Sequence, residues 1–316
     1  MDFIKAKQKK NKNEKAPLKL IGVIIFVVLI ILTGFLVFFF NFLRKGRTTL
    51  VLVGSSATVV SLDNEKDSLT IVPLPQNIYL ELAGGKGNLT VQSLFKFDLL
   101  SKQKGLLFIR TLREFLGIPI DGWINIGENF EISNQEQFLN IQKKQLSLFN
   151  LKNLLPISKK QYFFYKIGNI RKDKITVIDL TESNIFQKET LPDGSQVLKT
   201  DADKLDSLLQ EQFFEKKILE ENLSMAVLNS GRTQGLASRA ARIIGNSGGK
   251  VVIVGDSPTK MVDCTINVAK KNKKTYTVSR YKKIFSCEIN NNPSEENRVD
   301  ITITLGTAYE KEIKGP

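Results

Sequence analysis

The chain has 316 residues, room for two ordinary domains and an anchor. It carries 46 Lys and Arg against 32 Asp and Glu, a net of +14, and no histidine, which removes histidine-based triads, histidine metal ligands and imidazole acid–base chemistry. Its two cysteines exclude a four-cysteine zinc site, an iron–sulfur cluster and a disulfide-dense mini-fold, and 42% hydrophobic residues argue against wholesale disorder.

Residues 20–43, LIGVIIFVVLIILTGFLVFFFNFL, hold no charged side chain. As a helix they reach about 36 Å, enough for a hydrocarbon core of about 30 Å. The run outlasts the apolar core of a cleaved signal peptide, about 7–15 residues, and ends without a small-residue cleavage site. A transmembrane helix over 20–43, kept as an uncleaved anchor, is therefore expected. The tail 1–19 has seven lysines against Asp2 and Glu14, a net of +5 that outweighs Arg44, Lys45 and Arg47 beyond the span. The positive-inside rule then puts the N-terminus in the cytoplasm and residues 44–316 outside. The basic tail suits anionic lipid of the inner leaflet. A short basic tail beside a span needs no nucleic acid to explain it, and none is expected as a partner. The outer part keeps +9, which favours anionic partners.

Beyond the anchor, Thr49–Gly54, Ala57–Leu62, Ser68–Leu74 and Ile78–Leu82 read as strands, with Asp63 to Asp67 as a polar turn. Gly84-Gly85-Lys86-Gly87 lacks the Gly-Lys-Ser/Thr of a phosphate loop and reads as a turn. Residues 89–117 read as helical, with Leu106, Ile109, Leu112, Phe115 and Leu116 on one face, Gly117 ending the helix and Pro119 preventing its return. Ile118–Ile126 reads as extended and carries the only tryptophan, Trp123. Amphipathic sequence continues to about Leu155; Ile175–Leu180 reads as a strand, Pro192-Asp193-Gly194 as a turn and Asp203–Ile218 as a helix. These elements form an expected first outer domain over 48–214. The charged stretch 215–222 reads as a linker, and 223–310 as a smaller α/β domain. Its strands are Met225–Leu228, Val251–Val254, Thr265–Ala269 and Asp300–Leu305, with a helix over Leu236–Ile244. Cys264 and Cys287 lie in this domain, and an outside location allows either a disulfide or two buried thiols.

The last domain resembles the LytR C-terminal domain. The residues that carry the resemblance are Val227-Leu228-Asn229-Ser230-Gly231, Gly235-Leu236-Ala237, Arg239-Ala240-Ala241, Val251-Val252, Thr265-Ile266 and Ile303-Thr304-Leu305-Gly306. The upstream domain resembles the LytR-CpsA-Psr catalytic domain in two blocks, Val60-Ser61-Leu62-Asp63 through Ile71-Val72-Pro73-Leu74-Pro75-Gln76-Asn77, and Leu116-Gly117-Ile118-Pro119-Ile120-Asp121-Gly122-Trp123. The resemblance implies an α/β/α domain. In that family it also implies transfer of glycopolymers from a polyprenyl pyrophosphate carrier to peptidoglycan, with arginines on the pyrophosphate and acidic groups helping to hold magnesium.

The family's Arg-Asp pair falls here on Gln76 and Asn77. Glutamine lacks the permanent charge and bidentate fork that suit pyrophosphate, and asparagine lacks an anionic oxygen for a hard cation or a proton. The expectation is therefore a degenerate member, an envelope protein without catalysis or cofactor. It would bind or scaffold wall polymer, polyprenyl-linked precursor or wall-synthesis proteins. The alternative is an active, magnesium-dependent phosphotransferase using Arg110, Arg113 and Asp121. On the C-terminal domain the loop Asn229–Gln234, with Gly231, Arg232 and Gly235, is the candidate contact surface, because a helix start offers free N–H groups to anions.

Overall fold

In the computed structural model the chain divides into Met1–Lys45 and Gly46–Pro316. The structure describes residues 23–31, 33–34, 46–85, 87–101, 104–127, 132, 134–144, 157–292, 298–307 and 309. Residues 23–31 and 33–34 are helical and exposed; the rest of the expected span 20–43 lies outside the described residues, as do 145–156. Among the described residues no helix is long and apolar enough to cross a membrane.

The second unit begins with β1 (Arg47–Val53), whose side chains alternate between two cores: Val51 and Val53 face one, Leu50 and Leu52 the other. A strand that is apolar on both sides must be covered on both sides. β2 (Ala57–Asp63) pairs antiparallel with β1 and β3 (Ser68–Leu74) antiparallel with β2, and both follow the same rule. A ribbon of β4 (Tyr79–Glu81) and β5 (Asn88–Thr90) leads into α1 (Val91–Leu100) and α2 (Leu106–Leu116). β6 (Gly122–Asn125) then adds parallel to β1. α3 (Gln135–Lys144) and α4 (Ile157–Gly168) precede β7 (Ile175–Val177), which adds parallel to β3. The sheet order is β6-β1-β2-β3-β7. The hairpin β8 (Phe186–Thr190) and β9 (Gln196–Thr200) turns at Pro192 to Gly194, and α5 (Ala202–Phe213) closes this lobe. Leu94, Phe108, Leu112 and Leu205 pack on one sheet face, Phe138 and Phe163 on the other, an α/β/α arrangement.

The helix expected over 89–117 is two helices. Asp98 is fully buried, and its carboxylate accepts from Gly105 N at 2.6 Å and Phe108 N at 2.7 Å, so it caps α2 from the preceding helix. Gly105 takes φ 85° against the Trp123 indole, where an added Cβ would meet Nε1 at 1.8 Å.

The stretch 215–222 expected as a linker is mostly a short helix, α6 (Lys216–Glu221), with Glu215 and Ile218 buried. After it come β10 (Ser224–Asn229), α7 (Leu236–Asn246), β11 (Lys250–Asp256), β12 (Thr265–Val268), α8 (Tyr276–Phe285), β13 (Glu288–Asn290) and β14 (Ile301–Leu305). The sheet order is β11-β10-β14-β12-β13. Both helices pack on one face, over Met225, Val227, Ile266, Ile301 and Ile303. The helix α8 and strand β13 add to the elements expected from sequence. A disulfide joins Cys264 and Cys287, tying the start of β12 to the chain leaving α8.

The two lobes meet through buried guanidinium groups. Arg280, on α8, donates Nη1 to Asp121 at 2.7 Å and Nε to Glu215 at 2.8 Å. Its side chain is 5% exposed and that of Asp121 is 1%. Lys283 also reaches Asp121, Tyr276 donates its hydroxyl to Glu215, and Asp121 accepts from Thr49 N at 2.9 Å. Burial raises the Asp121 pKa, but Arg280 and Lys283 outweigh it and hold the carboxyl well below the usual range. The stabilisation from this carboxylate is therefore fully present above the ordinary aspartate pKa and is lost as pH falls through the depressed one. A second bridge runs from Arg242 on α7 to both oxygens of Asp206 and to the carbonyls of Glu114 and Phe115. Gly117, at φ 63°, lets this bridge close: an added Cβ would meet Asn246 Nδ2 at 2.7 Å and Arg242 Cζ at 3.0 Å. We expect Arg280→Met, which removes the guanidinium paired with Glu215 and weakens the hold on Asp121, to lower the unfolding free energy by about 3–5 kcal/mol in urea titrations.

Candidate functional site

A cleft of about 320 Å³ opens between the β1–β2 turn and α1. Its apolar wall is Val91, Phe95 and Leu99, and Phe95 is held edge-on by Phe108 and Trp123 at 5.1 and 4.9 Å between ring centres. Ser55, Ser56, Gln76, Gln92 and Asn125 supply its polar groups, and Lys96 is the one charged residue among those that line it. Alternation along α1 explains the mixture: Val91, Leu94 and Phe95 are buried while Gln92 and Lys96 are exposed.

Gln76 is half-buried; its Nε2 donates to Ser55 O at 3.1 Å, and its main-chain carbonyl accepts from Gln92 N at 3.1 Å. The side chain thus ties this segment to the β1–β2 turn, using an amide where a guanidinium would carry charge. Asn77 is exposed and does not line the cleft; its carbonyl accepts from Leu198 N at 3.0 Å. Magnesium needs hard anionic oxygens. The side chains here offer amides, hydroxyls and one ammonium, so they do not fit that ion. Among the described residues no group of three or more His, Cys, Asp or Glu comes together as a metal site.

Arg110, Arg113 and Asp121 do not line this cleft. Arg113 donates to Ile120 O and, at 2.9 Å, to Ile284 O on α8, and burial brings its pKa down to about 10. Arg110 is buried with its guanidinium 5.2 Å from the Tyr309 ring centre. With Asp121 held by Arg280 and Lys283, all three lie in packed contacts between the lobes or within them.

In the C-terminal loop, Asn229 is buried, donating to Thr233 O at 3.0 Å and accepting from Gly231 N at 2.9 Å. Ser230 donates to Thr259 O and accepts from Met261 N. These side chains shape the loop. Arg232 is exposed, and Gly235 starts α7 at φ 72° without a side-chain cap.

A larger groove, about 550 Å³, lies where the lobes meet, with Glu81, Glu114, Arg239 and Arg242 among its walls. The sequence gives no sign of it, since its charges come from three separate elements, β4, α2 and α7. Arg239 lies 3.5 Å from Glu114 and 3.7 Å from Glu81. Burial pushes the Glu114 carboxyl up to about 7 despite Arg239, with Glu81 adding to the rise.

Residues 222–309 match the family model described as LytR cell envelope-related transcriptional attenuator. The C-terminal lobe is a LytR_C domain. No curated protein matches the chain. Solved structures similar to it include TagT from Bacillus subtilis, 14% identical, covering 53% of this chain and 90% of that one at a TM-score of 0.40. A "LytR-CPS2A-psr family protein YwtF (TagT) with bound octaprenyl pyrophosphate lipid" is 14% identical, covering 54% and 90% at 0.39. A transcriptional regulator from Enterococcus faecalis is 14% identical, covering 51% and 84% at 0.40.

The raised pKa of Glu114 has a definite sign. Between an ordinary value of 4.5 and about 7 the folded chain holds a proton that the unfolded chain has released, so stability falls as pH rises through that window. Glu114→Gln is expected to remove a slope amounting to roughly 2 kcal/mol, read as the difference between the two proteins in urea unfolding at pH 4.5 and 7.5.

Proposed function

We propose that the chain is a membrane-anchored envelope protein facing the outside of the cell, which retains lipid-linked wall precursors or wall polymer, or scaffolds the proteins that assemble them, without transferring the polymer. The observation that carries this reading is the chemistry of the cleft at Gln76: one ammonium, several neutral donors, and no carboxylate among the residues that line it. In the LytR-CpsA-Psr resemblance this is the place of the Arg-Asp pair. Gln76 cannot present a charged fork to pyrophosphate, and its amide is already engaged by Ser55. Lys96 with the hydroxyl and amide donors suits a phosphate head, and the Val91–Phe95–Leu99 wall suits an apolar chain.

The anchor and the orientation rest on the sequence of 1–47. Thr33 supports the span: its hydroxyl donates to Leu29 O and Ile30 O at 2.9 Å each, so the polar side chain is satisfied within the helix, as lipid requires. The LytR_C match supports an envelope role through its family description.

The test uses the full chain in detergent with magnesium and a lipid-linked glycan donor. We expect polyprenyl pyrophosphate to bind, Lys96→Glu to weaken that binding roughly tenfold, and no phosphate-containing product to be released. Magnesium-dependent transfer would contradict the reading, and binding untouched by Lys96→Glu would remove the cleft as the site.

A further inference from the structure

Strand β11 is an edge of the C-terminal sheet, with β10 on one side and no strand on the other among the described residues. None of its seven residues is buried. Lys250, Val252, Val254 and Asp256 are exposed and alternate with the partly covered Val251, Ile253 and Gly255. The one shift in its pairing with β10, opposite Met225 and Ala226, leaves that alternation intact. Val252 is 51% exposed and Val254 47%.

A long apolar edge is a template for further strands, and soluble proteins guard such edges with proline, short length or a charge within the strand. The sequence KVVIVGD has no proline and keeps its charges at the two ends. Those charges are opposite in sign, and each stands three residues from Ile253. Antiparallel pairing with β11 of a second copy, about a two-fold axis at Ile253, sets Lys250 against Asp256 of that copy and Val252 against its Val254, each twice. Parallel pairing in register would set lysine against lysine and aspartate against aspartate. The exposed face is therefore complementary to itself in one arrangement only.

We propose that β11 is a homodimerisation edge, its occupant a second copy of this chain joined in antiparallel register about Ile253. The dimer continues the five-stranded sheet into one of ten strands across the two copies. It leaves the Gln76 cleft, on the other lobe, outside the contact.

Charge exchange tests this on the full chain in detergent, by sedimentation and by chemical cross-linking. The wild type is expected to form a reversible dimer. Lys250→Asp alone and Asp256→Lys alone each place like charges at both ends of the contact and should weaken the dimer roughly tenfold or more. An equimolar mixture of the two variants should form a heterodimer as stable as the wild type, because each variant supplies the charge that the other lacks. That recovery separates a surface contact from misfolding, and also from the loss of the Lys250 charge near Asp300. A wild type that stays monomeric, single variants that dimerise unchanged, or a mixture that does not recover would each overturn the proposal.

Discussion

Arg280 is the constraint on which the rest of the structure depends. A guanidinium with its side chain 5% exposed is costly to bury alone, and so are Asp121 and Glu215 at 1% and 2%. Together their charges are paired: Nη1 reaches the chain entering β6 and Nε the segment between α5 and α6, while Nη2 is buried without a hydrogen-bond partner. Asp121 belongs to the first lobe and Arg280 to the LytR_C domain, so neither lobe completes its own polar network. Arg113 donating to Ile284 O, and Arg242 to Asp206 and the end of α2, repeat the pattern. Arginine serves each time because its planar fork can join two partners at once.

This arrangement decides where chemistry is available. The charged residues beside the second family-like block, Arg110, Arg113 and Asp121, lie in packed contacts away from the Gln76 cleft. The cleft at Gln76 holds the reverse composition, with amides and hydroxyls around one lysine and an aromatic wall. A site of that kind can retain a phosphate head by a few hydrogen bonds and an apolar tail by burial. It has no group among its lining residues to withdraw a proton or to anchor a hard cation. The proposed retention without turnover rests on this composition of the lining.

Much of this was legible in the sequence where the pattern is local. The apolar runs of β1, β2 and β3, the glycine that ends α2, the Pro-Asp-Gly turn and the central strands of the C-terminal domain all follow from local pattern. The break at Gly105 did not, because it depends on the Trp123 ring and on the Asp98 carboxylate reaching forward to cap the next helix. Helix α8 was hidden by its composition: Tyr276, Thr277, Val278, Tyr281 and Phe285 are aromatic or β-branched, and packing overrides their weak helix propensity. The partners of Arg280 lie 65 and 159 residues away, beyond any periodicity argument. Gln76 lies in the family-like block, whereas no local pattern singles out Lys96 on its amphipathic helix.

Shared buried charges should make the lobes of residues 46–316 one cooperative body. Differential scanning calorimetry of the full chain in detergent tests it most directly. A single unfolding transition is expected for this body, with calorimetric and van't Hoff enthalpies equal. Two separated transitions, one for each lobe, would contradict it.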